Sequence, residues 1–141
     1  MPRQRSTTKR GTGAPRAPGG SALRKQPVFI DLVRELALAL PAAEERLSYG
    51  TPAFFVRGTL FARMREDGET LVVKVDLDQR DAMIEAAPAI FLVTPHYQGH
   101  PLVLVRLAAI DRAMLHDVLI AAWRQAAPAR LAASFDDPRR K

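Results

Sequence analysis

The sequence predicts one α+β domain, a two-layer sandwich in which an antiparallel sheet of about five strands carries helices on one face. Apolar residues recur at helical spacing in three segments, and they alternate with period two in the segments between. Gly, Asp and Pro lie at the boundaries between these segments, where turns are expected. The expected order is α-β-β-β-α-β-β-α, and 141 residues fit one such domain.

Each helix is predicted from its apolar spacing and from residues that start or stop helices. The first begins near Pro27 and ends at Pro41, the second has Asp78 as its N-cap, and the third runs from Asp111 to Pro128. The residues expected to face the core are Phe29, Leu32, Val33, Leu36 and Leu40, then Ala82, Met83 and Ala86, then Leu115, Val118, Leu119, Ala122 and Ala126, with Trp123 beside them.

Five short segments have the period or the apolar character of strands. They are 53–57, 60–66, 70–76, 90–94 and 102–107. Turn sequences at 57–59 and 66–69 join the first three segments into an antiparallel meander. The last two segments flank a turn-like stretch at 95–101.

Alternation along the meander assigns its side chains to two faces of the sheet. Those predicted to point at the helices are Phe54, Val56, Leu60, Ala62, Met64, Leu71, Val73 and Val75. Those predicted on the opposite, open face are Phe55, Arg57, Phe61, Arg63, Arg65, Val72 and Lys74, and Arg106 is a further candidate from the last strand. The second set contains cations and aromatic rings but no acid, which predicts a cationic, aromatic-bearing surface.

The net charge of +6 is unevenly distributed along the chain. Residues 1–27 hold seven Lys or Arg and no acid among Pro, Gly, Ser and Thr, which predicts a disordered basic tail. Residues 28–133 hold eleven cations and thirteen acids and form the predicted domain, and 134–141 are expected to be a flexible tail. Cysteine is absent, which excludes disulfides and thiolate sites. No apolar run is long enough for a membrane span, and a cytoplasmic location is expected.

Three segments, LSYGTPAFFVRGTLFARMREDGETLVVKVD, FLVTPHYQGHPLVLVRL and AAWRQAAPARLA, resemble the MmcQ/YjbR family over about residues 29–133. The resemblance implies a secretion-chaperone-like or frataxin-like α/β sandwich, with helices on one side of an antiparallel sheet. The usual description of the family as DNA-binding comes from similarity of fold, which does not carry function by itself. Tyr49 stands where many relatives have tryptophan, and Phe55 where they often have lysine, so one cation is missing from the open face.

The inventory of reactive residues predicts a protein that is not an enzyme and has no cofactor or metal. Ser48, the one serine of 28–133, is flanked by Leu47 and Tyr49 instead of a glycine elbow. His96 and His100 are four residues apart, but they lie in a turn sequence without a nearby carboxylate, which disfavours zinc.

Two functions remain, and both use the open face. In the first, DNA is bound with help from the basic tail. In the second, the face and the loop of His96 and Tyr97 bind a protein or a small anionic ligand. A purely structural role for His96 and Tyr97, holding the shape of the loop, stays open. Nucleic-acid or anion binding is assigned to Arg57, Arg63, Arg65, Lys74 and Arg106, and stacking or pocket roles to Tyr49, Thr51, Phe55, Phe61, His96 and Tyr97.

Overall fold

A computed structural model of the chain describes residues 29–135, so the predicted basic tail and residues 136–141 lie outside the described residues. In chain order the elements are α1 29–38, β1 Ala43–Ser48, β2 Thr51–Val56, β3 Thr59–Met64, β4 Thr70–Lys74, α2 Leu77–Ala86, β5 Phe91–Leu92, a 3₁₀ turn Pro95–Tyr97, β6 Leu102–Arg106, α3 Arg112–Ala126 and α4 Ala129–Ser134. No helix of this part of the chain is both long and apolar enough to span a bilayer.

The predicted α+β class and antiparallel sheet are confirmed. The sheet has six strands in the order β1-β2-β3-β4-β6-β5, one more than the approximate five expected. The added strand is β1, which pairs with β2 from Ala43↔Val56 to Ser48↔Thr51 and forms one edge of the sheet. Its sequence, AEERLS, is charged because one side of an edge strand faces water and charge there protects against pairing with other chains.

Two tight turns set the register of the first three strands. Tyr49 and Gly50 have φ of +54° and +82°, and Arg57 and Gly58 have +49° and +84°. Consecutive positive φ values are those of the two-residue hairpin turn whose twist matches the strands. The second turn is one residue shorter than predicted, because Thr59 already pairs with Val56.

A β-bulge in β3 reverses two of the predicted orientations. Phe54 pairs with Ala62, but Phe55 pairs with Leu60, so Phe61 is an extra residue opposite the Phe54/Phe55 step. Phe61 is 1% exposed in the core, whereas Leu60 lies on the open face. The alternation that placed Phe61 outside and Leu60 inside is therefore wrong at these two positions.

Helix α2 differs from the prediction in its cap and in its buried side. Asp76, rather than Asp78, is the N-cap, and its Oδ1 accepts a hydrogen bond of 2.8 Å from the amide of Gln79. The residues predicted to face inward are mostly not buried, since Ala82 and Ala86 are exposed. The one buried residue of α2 is Arg80.

The hydrophobic core lies between the sheet and helices α1 and α3, and Trp123 is fully buried in it as predicted. The indole Nε1 of Trp123 donates to the carbonyl of Pro41 at 2.9 Å, which joins α3 to the end of α1. Asp111, where the third helix was predicted to start, is the N-cap of α3. Phe135 packs against Trp123 at 5.1 Å between ring centroids, so residues 134 and 135, assigned to a tail from the sequence, belong to the fold.

An ion pair joins α1 to the edge strand on the helix side of the sheet. Nε and Nη2 of Arg34 donate to the two carboxylate oxygens of Glu45 at 2.6 and 2.8 Å. The hydrogen bond from Arg34 lowers the pKa of Glu45 below its usual value, although partial burial opposes the change. This bidentate contact fixes β1 against the domain and so supports the turn that carries Tyr49.

Candidate functional site

Arg63 of β3 is the centre of the candidate site on the open face, the side of the sheet turned away from α1 and α3. Its Nη1 donates to Oγ1 of Thr51 at 3.2 Å and to the carbonyl of Met64 at 3.4 Å, and its Nη2 donates to the hydroxyl oxygen of Tyr97 at 3.1 Å. Thr51 is buried and donates its own hydroxyl to the carbonyl of Ser48 at 3.0 Å. These contacts fix the orientation of the guanidinium group.

Tyr49 stands beside Arg63 at the tip of the β1–β2 turn. Its side chain is 90% exposed, and its ring centroid lies 5.8 Å from Cζ of Arg63, within cation–π range. A left-handed backbone is costly for a tyrosine, and such strain is concentrated at functional positions. The turn therefore presents an aromatic ring to solvent next to a fixed cation.

The loop between β5 and β6 supplies the opposite wall. His96 and Tyr97 follow Pro95 in a 3₁₀ turn, and their rings meet edge to face with centroids 4.8 Å apart. The Tyr97 side chain reaches over the sheet to Arg63, so the open face is partly covered by this loop rather than being wholly exposed to solvent.

Between these walls lies a concave pocket of about 440 Å³, within the usual size range of small-molecule sites. Its lining residues are Tyr49, Leu60, Arg63, Glu66, Val72, His96, Tyr97 and Leu102. The register explains the apolar floor, because Val72 pairs with Arg63 on one side and Leu104 on the other. A pocket with an apolar floor, ring-bearing walls and one fixed cation suits a ligand with both a ring and an anionic group.

The pocket contains residues that sequence reasoning missed. Leu60 was assigned to the wrong face, and Leu102 was not singled out. Glu66 was predicted at the end of a strand and the start of a turn and was given no site role, yet it contributes an acid to the lining. Another acid, Glu44, lies on the open face opposite Phe55 and pairs with Arg46 at 2.8 Å. The open face is therefore mixed in charge. The predicted set of open-face residues contained no acid because β1 was not recognised from the sequence and Glu66 was not included in the set.

The other predicted site residues lie either in the core or outside the pocket lining. Phe61 is in the core and cannot stack on a ligand. Phe55 is on the open face outside the pocket lining, with Cζ of Arg46 5.2 Å from its ring centroid. Lys74 is half-buried on the same face, opposite Leu102.

The three remaining arginines predicted for binding lie outside the pocket lining. Arg57 occupies the β2–β3 turn, and Arg65 follows β3. Although partial burial opposes the change, hydrogen bonds from the amide of Glu69 and from Thr70 lower the pKa of Asp67, and the charge of Arg65 adds a smaller effect. Nη1 of Arg106 donates to the carbonyls of Pro88 and Ala89 at 3.1 and 3.3 Å. The structure thus brings Arg63 together with Tyr49, Thr51, His96 and Tyr97, and leaves the other predicted cations outside the pocket lining. Within residues 29–135, no three His, Asp or Glu side chains form a group that could hold a metal ion.

The fold and this pocket define a class of protein, the two-layer α+β domain with a ligand-sized concavity on the open side of an antiparallel sheet. A sequence model of the YjbR family matches residues 38–125, which include every lining residue of the pocket. The chain belongs to the YjbR family.

Comparison with known proteins gives relatives in sequence and in structure. Uncharacterized proteins of Mycobacterium bovis and of two strains of Mycobacterium tuberculosis are each 38% identical over 69 residues, which cover 48% of this chain and 54% of theirs. This chain therefore spans about half the length of the curated relatives it matches. The crystal structure of the Deinococcus radiodurans protein DR2400, a DUF419 domain, superposes with a TM-score of 0.59 at 21% identity, covering 68% of this chain and 76% of that one. This likeness supports the fold.

Proposed function

We propose that the domain is a binding module whose open-face pocket recognises a small ligand with a planar ring and an anionic group. The observation that carries the proposal is the guanidinium group of Arg63, held in place by Thr51 and Tyr97 between ring-bearing walls. A cation whose orientation is fixed before the ligand arrives loses little conformational freedom on binding, which favours affinity.

Arg63 has donors to spare for such a ligand. A guanidinium group carries five N–H donors, and the contacts with described residues use both on Nη1 and one on Nη2. One donor on Nη2 and one on Nε are left, and these neighbouring atoms match the two oxygens of a carboxylate or phosphate.

The rest of the lining restricts the ligand further. The rings of Tyr49, His96 and Tyr97 offer edges and faces for stacking on a planar group. Glu66 adds a negative charge to the same pocket, and like charges placed together weaken binding. The pocket therefore favours a ligand with a single anionic group over a polyanion.

A calorimetric titration of the full-length protein tests the proposal with phenyl phosphate as the probe. Inorganic phosphate and phenol serve as the two halves of that probe. We expect phenyl phosphate to bind about tenfold or more tightly than either half, because the ring and the anion use different parts of the pocket. Arg63→Met should remove the preference for the anion, and Arg63→Lys should restore only part of it, since an ammonium group lacks the planar fork.

Arg130→Met is the matched control, because it removes the same charge from an exposed position on α4 outside the pocket. Equal losses in Arg63→Met and Arg130→Met would attribute the effect to net charge and reject the pocket. Equal affinity for phenyl phosphate and inorganic phosphate would reject the role of the rings.

A second candidate is the binding of single-stranded nucleic acid across the open face. It is favoured by cations and a ring beyond the pocket on the same side, namely Lys74 and the stacked pair Arg46 and Phe55. Bases stack on such rings in a sequence-tolerant way while cations follow the phosphates. The excess of acids over cations in residues 28–133 and the acids Glu44 and Glu66 on this side work against it.

Fluorescence anisotropy with single- and double-stranded oligonucleotides across a salt series distinguishes the two candidates. If the open face binds the oligonucleotide, Arg63→Glu and Lys74→Glu should each weaken binding by the full-length protein and reduce the salt dependence of that binding. If both variants bind like the parent and only deletion of residues 1–27 abolishes binding, the basic tail is responsible and the second candidate is rejected.

A further inference from the structure

We propose that Arg80 is the positioning residue of the pocket: from helix α2 it fixes the loop that brings His96 and Tyr97 to Arg63. The inference rests on the proposed function, because it assigns a role at the same site. Among residues 29–135 the buried polar or charged side chains are those of Thr51 and Arg80, and both support the pocket. Thr51 holds Arg63 directly, and Arg80 holds the opposite wall.

The contacts of Arg80 are made to backbone carbonyls of the loop. Nη1 lies 3.3 Å from the carbonyl oxygen of Tyr97, 3.0 Å from that of His100 and 3.5 Å from that of Leu102, and Nη2 donates to the carbonyl of Gln98 at 3.0 Å. One guanidinium group therefore contacts four backbone carbonyls in the six-residue segment 97–102. Such a cluster of carbonyls suits a cation with several donors, and the guanidinium group of arginine, with five N–H donors, offers more than any other side chain.

No buried acid within residues 29–135 neutralises the charge of Arg80. The carboxylate of Asp81 is 3.7 Å from Nε, which is too long for a hydrogen bond, and its side chain is 77% exposed. Nε itself is buried and has no hydrogen-bond partner among the residues that the structure describes. Burying a charge in this way is costly unless good hydrogen bonds compensate, and groups of this kind are kept in some proteins because they specify one conformation. The loop is the conformation that Arg80 specifies.

The loop supplies a large part of the pocket. His96 and Tyr97 of the loop line it, together with Leu102 at the start of β6. Tyr97 is held by an arginine at each end. Its carbonyl accepts from Arg80 while its hydroxyl accepts from Arg63. Tyr97 thus links a buried cation in α2 to the ligand-facing cation of β3. Without Arg80, these carbonyls would lose their side-chain donor, and those of Tyr97 and His100 would keep only the backbone bonds from the amides of His100 and Leu102. Tyr97 would then lose its fixed position above the sheet.

The experiment uses the fact that the chain has two tyrosines and one tryptophan. Tyr49 and Tyr97 both line the pocket, whereas Trp123 is in the core, so the two kinds of residue report on different regions. The full-length protein is labelled with fluorotyrosine, and its two fluorine resonances are assigned with Tyr49→Phe. Spectra of Arg80→Met and Arg80→Lys are then compared with the parent, and phenyl phosphate affinity is measured in parallel.

We expect Arg80→Met to shift or broaden the Tyr97 resonance, to leave that of Tyr49 in place, and to weaken phenyl phosphate binding by about tenfold, as loosely held sites do. Arg80→Lys should give smaller changes of the same kind. Arg124→Met is the matched control, because Arg124 also donates to a backbone carbonyl, that of Ala132, and also has a buried Nε without a partner. It should change neither resonance.

A Tyr97 resonance that is unchanged in Arg80→Met, or is changed equally in Arg124→Met, would overturn the inference. If Trp123 emission shows that Arg80→Met does not fold, the same comparison is made with Arg80→Lys and has the same two outcomes. Failure of the parent protein to bind phenyl phosphate would reject the proposed ligand class, while the Tyr97 resonance would still decide the positioning role of Arg80.

Discussion

Nη2 of Arg63 donates a hydrogen bond of 3.1 Å to the hydroxyl of Tyr97, which lies 34 residues later in the chain. The bond connects the central part of the sheet with the loop between β5 and β6. It closes one side of a pocket that the strands alone would leave open. The chemistry of the open face therefore depends on a contact between two elements that are distant in sequence.

Tyr97→Phe should destabilise the protein by about 1 kcal/mol, because a hydrogen bond from a charged donor is lost while the ring is kept. Urea unfolding followed by Trp123 emission measures the change. Tyr49→Phe is the matched control, because Tyr49 is 90% exposed. Removing its hydroxyl should leave the free energy of unfolding unchanged. Equal stabilities of the two variants would show that the contact between Arg63 and Tyr97 does not contribute.

Gly58→Ala should destabilise the domain by about 1 kcal/mol or more, because φ at this position is +84° and an L side chain is strained there. Apart from Gly58 and its two chain neighbours, no atom of residues 29–135 lies within 4 Å of the added Cβ, so the effect isolates backbone strain from steric clash. Gly99→Ala provides the comparison, since its added Cβ also meets open space and its φ is not in the left-handed region. Thermal unfolding of both variants should show a lower melting temperature only in Gly58→Ala.

Glu45 should make the free energy of unfolding depend on acid pH. Its pKa in the folded protein is lowered, chiefly by the hydrogen bond from Arg34, so its stabilising effect is present above the unfolded pKa of about 4.3 and is lost as pH falls through the lower folded value. Glu45→Gln and Arg34→Met should therefore both flatten the fall in stability below about pH 4.3. Urea titrations at a series of acid pH values measure how the free energy of unfolding depends on pH. If it falls as steeply in both variants as in the parent, Glu45 and Arg34 are not the source of the pH dependence.

Much of the fold could be predicted from local patterns. The apolar spacing around Trp123, the Asp111 cap and the alternation in β2 and β4 each agree with the structure. These features depend on neighbours a few residues apart, which a sequence displays directly. For the same reason Arg63 was placed on the correct face, because its strand neighbour Met64 is clearly apolar and buried.

The features that were missed depend on distant contacts. β1 has few apolar residues, and it is a strand because β2 pairs with it and Arg34 holds it. The bulge at Phe61 is one extra residue in β3 relative to its partner strand, so alternation within β3 could not reveal it. Arg80 could not be recognised either, since its four carbonyl partners lie 17 to 22 residues away.

The most direct test of the pocket is a fluorine NMR titration of the fluorotyrosine-labelled, full-length protein with phenyl phosphate. Both tyrosines of the chain line the pocket, so occupancy should shift both resonances along one saturable curve while Trp123 emission from the core stays constant. Shifts that saturate at the calorimetric affinity and disappear in Arg63→Met are the predicted result. Calorimetric binding that leaves both tyrosine resonances unmoved would place the ligand elsewhere and contradict the assignment of the open-face pocket.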